Sequence, residues 1–471
     1  MAAPRSIAAC HATGKAGMID EPALAPSPPV APSPLWLRAI GWTLLLGLLA
    51  GLLVPSQPHG FAAYVSGEGP IPKGGDFLHY FFAAEAGVNG EHVYESYTGG
   101  YLYPPLLAAL LMPTVQLGID TAALVWYWAN VALVGGLGIW AAWQIRRRLL
   151  TRDDPAVLEF GLLVGLLAGV DLIKRQAAFA QTDGLVLAGM VLLLPGLMQR
   201  RACARSLLLA AIGMGLAVNI KYMALGILPY LLITRRWGLA SASLVGATTV
   251  ALSTSLVFGW DRNLEYLRAS AGGLLRVVGL DAPTYGGFDP WPITWINSVS
   301  VTSAFARIGN HTSLGTLAIA GGGAVVLGAW GFAAHLLYRR AGLSFVGRAF
   351  AGTRSISDQM ITRLGVLEFC SMLGAIAVFS PQTTKRHMFP MFIAVVLAGM
   401  LSVSRTTPRA RALVIIGLLV FATGVFLPPG TGTPKEVLDG WRWIGGAGWC
   451  AMGFSVALLA AGFSDARRCP E

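Results

Sequence analysis

Charged residues are scarce in this sequence. Asp, Glu, Lys and Arg make up only 12% of the 471 residues, whereas 55% are hydrophobic. A soluble domain carries about 25% charged residues, and the mean hydropathy here is +0.62. The shortage of charge excludes an ordinary soluble globular protein and indicates an integral membrane protein.

Several catalytic and cofactor motifs are also missing. No P-loop, GxGxxG, HExxH, GxSxG or EF-hand pattern occurs in the right context, which argues against nucleotide hydrolysis and metalloprotease chemistry. Cysteine is rare, and no CxxC or metal-ligand spacing links the five residues Cys10, Cys203, Cys370, Cys450 and Cys469. We therefore expect neither a disulfide framework nor a metal or other cofactor.

Long hydrophobic runs are abundant. Residues 41–54 and 317–337, for example, approach the roughly 20 residues that a helix needs to cross a hydrocarbon core. No alternating β-barrel pattern is visible, so backbone hydrogen bonding within lipid requires helices. The sequence therefore predicts an all-α polytopic membrane protein.

The net charge of +11 comes largely from arginines in short clusters between the hydrophobic runs. These clusters lie at 146–148, 200–201, 235–236 and 339–340. Such a distribution is the positive-inside pattern of cytoplasmic connections. It predicts membrane orientation, and nucleic-acid binding is not expected.

Placing every arginine cluster inside and counting each apolar run as one crossing predicts about 12 transmembrane helices with both termini cytoplasmic. The predicted spans lie near 36–54, 120–142, 156–173, 183–198, 206–220, 221–234, 238–259, 313–337, 364–379, 388–403, 412–427 and 443–462.

The chain divides into one membrane domain and two tails. Residues 1–34 are rich in Ala, Pro and Ser, which predicts a disordered cytoplasmic tail. Residues 35–463 form the predicted transmembrane domain, whose first helix acts as a signal anchor. Residues 464–471 form a second cytoplasmic tail.

Two long outer loops are expected, at about 55–119 and 260–312. The first contains an apolar stretch, 103–118, that is too short between its prolines to span, so a re-entrant or interfacial segment is expected there. Asp76 then lies outside, beside the membrane.

Four cations also fall on the predicted outer side, against the orientation bias. They are Lys174, Arg175, Lys385 and Arg386. Their position favours a functional role, with contact to lipid headgroups as the alternative. Lys221 lies between two short apolar segments, where its charge needs a partner or an aqueous cavity. Two interpretations are open: the side chain contacts a phosphate or sugar, or it snorkels to the outer headgroups.

An outward carboxylate beside outward cations suits the transfer of a group from a phosphate-linked lipid to a hydroxyl. Asp76 is the candidate general base. The alternative is that Asp76 has only a structural role, as the N-cap of a helix. His387 is a second candidate, and cations would hold the phosphate. His79 shares a helical face with Asp76, whereas Glu85, nine residues on, does not reliably do so.

Four segments, quoted as they stand, carry a resemblance to a known family. They are "GGDFLHYFFAAEAGVNGEHVYE…YLYPPLLAALLMP", "AQTDGLVLAGMVLLLPGL", "NIKYMALGILPYLLITRRW" and "SPQTTKRHMFPMFIAVVLAG". In order and spacing they resemble glycosyltransferase family 87, of the C-type membrane glycosyltransferases. The resemblance covers about residues 70–400. It implies an inverting transfer of a mannose- or arabinofuranose-type sugar from a polyprenyl-phosphate donor to a lipid or glycan acceptor, on the outer face of the inner membrane.

Residue by residue, the resemblance implies that Asp76 is the general base and that His387 takes part in catalysis. Lys221 matches a lysine that stands ahead of a short helix and an Arg-Arg-Trp. The Tyr-Pro-Pro element of the family is matched by Tyr103 and the two prolines after it. The substrate cavity is assigned to His79, Glu85, Tyr103 and Pro104. The donor phosphate is assigned to Lys221, Lys174, Arg175, Gln181, Lys385 and Arg386.

Two departures from the family pattern bear on the site. The Gly-Gln-x-Asn element reads Ala180, Gln181, Thr182, Asp183 here, which weakens any role for Asp183. Where family members often carry Ser-Trp-Asp-His, this chain reads Thr-Lys-Arg-His and ends in His387, so cations replace a carboxylate. Replacing a carboxylate by cations is expected to change the phosphate site or the acceptor, and it weakens the match that assigns a role to His387.

The loop 260–312 contains Trp291 and Trp295, whose rings could stack on a sugar or anchor the loop at the interface. Two rival functions stay open. A secondary transporter would show two related halves around a central site. A flippase or lipid-binding scaffold would use the same cavity without chemistry and would tolerate Asp76→Asn.

Overall fold

The computed structural model describes residues 33–70, 75–96, 101–150, 155–277, 282, 291–312, 315–354, 356–380, 383–404, 406–426 and 433–466. Residues 1–32 of the predicted tail 1–34 and the end of the second tail, with Cys10 and Cys469, lie outside these ranges. Within them the regular structure is entirely helical. The predicted all-α fold is confirmed.

The α-helices are numbered in chain order, and four short 3₁₀ segments join some of them. The α-helices are α1 (Leu35–Leu53), α2 (Phe61–Val65), α3 (Asp76–Val88), α4 (Leu106–Leu111), α5 (Ile119–Leu149), α6 (Val157–Ala168), α7 (Val170–Ala178), α8 (Asp183–Val191), α9 (Leu194–Leu197), α10 (Ala204–Ile220), α11 (Leu228–Ile233), α12 (Trp237–Ser253), α13 (Ser255–Phe258), α14 (Trp260–Val277), α15 (Val301–His311), α16 (Gly315–Arg340), α17 (Phe345–Ala351), α18 (Asp358–Phe379), α19 (Phe392–Val403), α20 (Pro408–Phe426), α21 (Lys435–Trp443) and α22 (Gly446–Ala466). The 3₁₀ segments are Val54–Ser56, Met112–Leu117, Tyr222–Ile227 and Lys385–Met391.

Eight helical stretches in the described ranges are long and apolar enough to cross a membrane. They are Leu35–Val65, Ile119–Leu149, Trp237–Phe258, Ile319–Arg340, Asp358–Phe379, Lys385–Val403, Pro408–Val425 and Gly446–Ser464. The other four predicted spans coincide with shorter apolar helices: Val157–Ala168, Asp183–Leu197, Ala204–Ile220 and Tyr222–Ile233. The chain is therefore a polytopic membrane protein with eight candidate full-length spans in the described ranges, and the number of about 12 stays a prediction.

The structure changes two boundaries near the site. The predicted span 156–173 ends at Ala168, because the chain breaks at Gly169 and restarts as the separate helix α7. The predicted loop 260–312 contains two helices, α14 and α15. The stretch at 103–118 forms α4 and the 3₁₀ turn after it, which together are short, as expected for a segment that does not span.

Small residues bring the central helices into close contact. A Cβ on Gly189 of α8 would overlap the backbone of α10 at Gly213, and a Cβ on Gly246 of α12 would overlap the backbone of Ala211. Gly165 of α6 likewise packs on the backbone of α19. Such small-residue interfaces let membrane helices approach closely, and they fix α8, α10 and α19, which frame the site.

The arginine-rich connections meet at one end of the bundle. Arg200 bonds to Asp358, 2.8 Å away. Nearby, Arg348 pairs with the buried Glu368, which also accepts hydrogen bonds from Tyr230 and Tyr338. Asp76 and the segments predicted to face outward gather elsewhere, as described below. That the arginine end is cytoplasmic stays a prediction.

Candidate active site

Asp76 is the first residue of α3, and its carboxylate contacts two distant segments. The amide of Gln181 donates to Oδ2, and Arg386 Nη1 lies 3.2 Å from Oδ1 and 3.1 Å from Oδ2. Gly75, not Asp76, occupies the N-cap position, and no side-chain cap bond is made. The side chain remains 23% exposed. The helix-cap alternative is therefore not what the structure has, and a reactant can reach this carboxylate.

A tight turn before α8 presents Gln181 to Asp76. Ala180 adopts a φ of +51°, in the left-handed region that favours glycine, at a cost of about 1–2 kcal/mol. Its carbonyl accepts a hydrogen bond from Trp126 Nε1 at 3.2 Å, and the amide of Gln176 donates to the carbonyl of Gln181. Ala180 stands where the family pattern has glycine, and it adopts the backbone conformation that favours glycine. The hydrogen bonds from Trp126 and Gln176 hold the turn that carries Gln181.

The 3₁₀ turn Lys385–Met391 carries Arg386 to the site. The Arg386 guanidinium lies over the ring of Phe179, 5.1 Å from its centre, as well as on Asp76. His387 Nδ1 accepts a long hydrogen bond, 3.4 Å, from the backbone N–H of Thr384 at the start of the same turn. Arg386 therefore contacts the candidate base, and the bond between Thr384 and His387 lies within the turn itself.

The other predicted cations of the phosphate site differ in their surroundings. Arg175 pairs with Asp171 at 2.5 Å within α7. Lys385 lies within electrostatic range of both members of that pair. Lys174 is exposed on α7. Positive charge therefore collects between α7 and the 3₁₀ turn, beside Asp76.

A second buried layer lies next to Asp76. Lys221 Nζ is 2.8 Å from Oδ2 of Asp183, whose side chain is fully buried, and lies 5.6 Å from the centre of the Tyr103 ring. The hydroxyls of Tyr103 and Tyr80 are 3.1 Å apart. Sequence reasoning discounted Asp183 because it replaces an asparagine. Its position two residues after Gln181 was the signal that pointed to the same site.

Tyr80 links the two layers. Its ring is fully buried on α3, and both Asp76 and Asp183 act on it electrostatically. Burial, reinforced by Tyr103 and by these carboxylates, raises the pKa of Tyr80 well above its ordinary value. The hydroxyl therefore stays protonated and is available as a hydrogen-bond donor.

His79 is half-buried between Asp76 and Arg386. Burial lowers its pKa, Asp76 opposes this effect, and Arg386 adds to it. The neutral imidazole is therefore the form that the folded protein favours. Because the unfolded chain binds a proton more readily, protonation of His79 costs stability as the pH falls below its unfolded value of about 6.5.

We expect the His79→Gln protein to lose less thermal stability on acidification than the wild type. Gln keeps a polar side chain of similar reach and cannot be protonated in this range. The check is the difference in unfolding temperature between about pH 7.5 and about pH 5.5 in the same detergent. An equal difference in both proteins would mean that His79 does not carry this pH dependence.

An apolar groove ends beside Gln181. Its volume is about 160 Å³, and it runs between α1, α5, α6, α8 and α19. At one end it is lined by Gln176, Ala180 and Gln181, and most of its other lining residues are Leu, Ile, Val, Phe and Gly. Gly135 and Gly138 of α5 border it, and a Cβ on either would meet open space. The polar end of the groove thus adjoins the Asp76 carboxylate.

The remaining predicted site residues lie at different places. Trp291 and Trp295 stack on each other, 5.0 Å apart, and the carbonyl of Trp295 accepts a hydrogen bond from Arg307 of α15, so their described contacts are not with Asp76. Pro104 is buried beside Tyr103. Glu85 is half-buried further along α3.

No metal centre is formed within the described ranges. There, no group of three or more His, Cys, Asp or Glu side chains gathers as metal ligands would. The three described cysteines, Cys203, Cys370 and Cys450, are free thiols.

The fold and this cluster define a polytopic membrane protein with a solvent-reachable carboxylate, bound by an arginine, at the polar end of an apolar groove. The sequence profile of glycosyltransferase family 87 matches residues 101–355. The match covers more than half of the chain, so the protein belongs to glycosyltransferase family 87. The resemblance seen in the sequence is confirmed.

Two solved structures of one protein are similar to this chain. ArnT from Cupriavidus metallidurans bound to undecaprenyl phosphate is 14% identical, with a TM-score of 0.43, over 92% of this chain and 77% of ArnT. The apo state of the same ArnT is 15% identical, with a TM-score of 0.44, over 91% and 78% of the two chains. No curated protein matches this sequence closely enough to be counted as a relative.

Proposed function

We propose that this protein is a C-type (GT-C) membrane glycosyltransferase that moves one sugar from a polyprenyl-phosphate donor to a hydroxyl of a lipid or glycan. The sugar is of the mannose or arabinofuranose type, the reaction inverts the anomeric centre, and the site faces outward from the inner membrane. The observation that carries the proposal is the Asp76 carboxylate, bound by Gln181 and Arg386, where the apolar groove ends.

The groove suits the polyprenyl tail. The tail comes from lipid, which is as apolar as the groove, so the groove would hold it through close packing contacts rather than through hydrophobic transfer from water. The groove offers an almost wholly apolar lining, with glycines on one wall that leave room for the chain. A tail lying there directs its phosphate toward Gln181 and the cations beside it.

The cations suit the phosphate. Arg386 lies on Asp76, and Lys385 and Arg175 lie close by. As the bond from sugar to phosphate breaks, negative charge grows on the phosphate oxygens, and fixed cations in a poorly solvated site stabilise it. Arginine also presents two parallel N–H donors to phosphate. Lys385 and Arg386, which stand where the family pattern has a carboxylate, therefore contribute positive charge to the phosphate site.

Asp76 acts as the general base. An acceptor hydroxyl donates its proton to the carboxylate while its oxygen attacks the anomeric carbon. The anomeric C–O bond to phosphate breaks on the opposite face, the electron pair leaves with the polyprenyl phosphate, and the configuration inverts. Gln181 and Arg386 fix the carboxylate in position without blocking it.

Glycosyl transfer accounts for the chain better than its rivals. A transporter or a scaffold explains the groove and the cations but assigns no task to a carboxylate reachable by a hydroxyl. Membership of glycosyltransferase family 87 supports the enzyme.

We expect Gly138→Leu to weaken use of a donor with a long polyprenyl tail. The new side chain enters the groove, because nothing lies within 4 Å of a Cβ at this position. We expect KM for the long-tailed donor to rise about 10-fold, as for a loss of about 1.4 kcal/mol of packing contacts. KM for a donor with a geranyl tail should change little.

Gly136→Leu is the matched control. Gly136 lies on the same helix with equally open surroundings, but it does not line the groove. Both variants replace glycine by a better helix former, so their stabilities should change alike. Equal KM values for the long-tailed donor in the two variants would exclude the groove as the tail site.

A further inference from the structure

A second cavity lies at the arginine end of the molecule, away from Asp76. Its volume is about 540 Å³, and three connections line it: α9 to α10, α11 to α12, and α17 to α18. Five of its lining residues are arginines, and none is acidic. These are Arg200, Arg201, Arg235, Arg236 and Arg354. The predicted topology places this end in the cytoplasm.

The charge of the cavity is largely uncompensated. Arg200 is neutralised by Asp358 and also donates to the backbone carbonyls of Thr353, Arg354 and Ile356. Arg201, Arg235 and Arg354 are exposed at the cavity and form no ion pair with the described residues. Arginines gathered in a concave surface attract anions strongly.

Arg236 is built into the wall of the cavity. It is only 9% exposed, and its Nη1 donates to the carbonyls of Gly196 and Gln199 at 3.2 and 2.9 Å. Its Nε and Nη2 find no hydrogen-bond partner among the described residues. Buried donors without a partner are costly, and a guanidinium with two such donors matches the paired oxygens of a phosphate.

The start of α12 adds a third anion-binding feature. Trp237, Gly238 and Leu239 form its first turn and line the same cavity. No side chain caps this end of the helix. The first N–H groups of a helix lack partners within the helix and carry partial positive charge, which makes them ready ligands for phosphate.

We propose that this cavity binds a phosphate group, either the headgroup phosphate of an anionic phospholipid or a soluble phosphate compound. Exposed apolar side chains of Leu208, Leu232 and Ile233 lie on the adjoining helices α10 and α11, where acyl chains of a lipid would pack. Basic pockets between membrane helices on the cytoplasmic side are typical headgroup sites. The site is separate from Asp76 and does not depend on the proposed transfer reaction.

The test compares two triple variants that remove the same number of arginines from the same end of the molecule. The cavity variant is Arg201→Gln/Arg235→Asn/Arg354→Gln, with Asn at 235 because that residue has a φ of +54°. The control variant is Arg147→Gln/Arg339→Gln/Arg409→Gln, whose residues do not line the cavity. Binding of phosphatidylglycerol and of phosphatidylcholine is measured by native mass spectrometry, and binding of inorganic pyrophosphate by the thermal shift of the purified protein.

Gly238→Asp is a second variant that keeps all the arginines. A side chain fits there, since the nearest atom to a Cβ is Leu207 Cδ2 at 3.4 Å, and a carboxylate in the first turn favours the helix. It places a negative charge where the phosphate would sit, and Gly238→Ala is its matched control.

We expect the cavity variant and Gly238→Asp to bind the phosphate ligand at least about 10-fold more weakly than their controls. Selective loss of phosphatidylglycerol binding identifies a lipid headgroup, whereas selective loss of the pyrophosphate shift identifies a soluble phosphate compound. Equal binding by the cavity variant and its control, or no binding of either ligand by the wild type, would overturn the proposal.

Discussion

The Asp76→Asn protein is expected to transfer sugar at least about 100-fold more slowly than the wild type, since general-base catalysis is typically worth 10² to 10⁴. Asparagine keeps the size of the side chain and an oxygen that accepts from Gln181, but it cannot take up the proton of the acceptor. The measurement is the initial rate at saturating donor and acceptor, with the unfolding temperature recorded for each protein.

Glu91→Gln supplies the control for this loss. Glu91 is an exposed carboxylate just beyond the end of α3, whereas Asp76 stands at its start, so the substitution removes one negative charge far from the site and leaves Asp76 in place. We expect a rate within about 3-fold of the wild type, as for a surface change that alters the catalytic barrier by less than 1 kcal/mol. Equal rates for wild type and Asp76→Asn would remove Asp76 from the mechanism.

Lys221→Met is expected to destabilise the protein by about 3–5 kcal/mol, because it leaves the buried carboxylate of Asp183 without its cation. Asp183 is fully buried, and the side chain of Lys221 is 13% exposed. The double variant Lys221→Met/Asp183→Asn removes both charges and should recover much of this loss. The measurement is equilibrium unfolding in mixed micelles, read as a double-mutant cycle.

Arg442→Gln serves as the matched ion-pair control. Arg442 pairs with Asp439 at 3.2 Å within α21, but both side chains are substantially exposed. Exposed pairs contribute about 0–1 kcal/mol, so this variant should unfold almost as the wild type does. A Lys221→Met protein as stable as Arg442→Gln would contradict the view that Lys221 and Asp183 form a structural pair beneath the site.

Local sequence pattern and predicted topology were enough to single out three residues of the candidate site. Asp76 stands out because a carboxylate after two glycines, in an apolar chain, falls on the predicted outer side. Gln181 and Arg386 follow from the same topology, since their segments were expected to face outward. All three meet in the structure, so their segments lie at one end of the bundle, and the side of the membrane that this end faces stays a prediction.

The pairing of side chains was beyond the sequence. The partner of Lys221 is Asp183, on another helix, and Arg386, assigned to the donor phosphate, contacts Asp76. Adjacent residues on a turn point in different directions, and the choice between them depends on how the turn packs against α7 and α8. That packing is a tertiary property that no periodicity records.

The fold shows the same division. Each predicted apolar run coincides with an apolar helix in the described ranges, since length and hydropathy are local properties. They did not show that 156–173 breaks at Gly169 or that 260–312 contains α14 and α15. The break and the two helices depend on tertiary packing, because an amphipathic segment folds as a helix when its apolar face packs against a neighbouring helix.

The central claim is tested most directly by offering the purified protein in lipid a panel of radiolabelled polyprenyl-phosphate sugars with a membrane-lipid extract. The account predicts that label from one donor appears in an acceptor lipid or glycan, with one polyprenyl phosphate released for each sugar transferred. If the folded wild type transferred sugar from no donor, and instead moved a labelled lipid or solute across the membrane, the protein would be a transporter or flippase and not the glycosyltransferase described here.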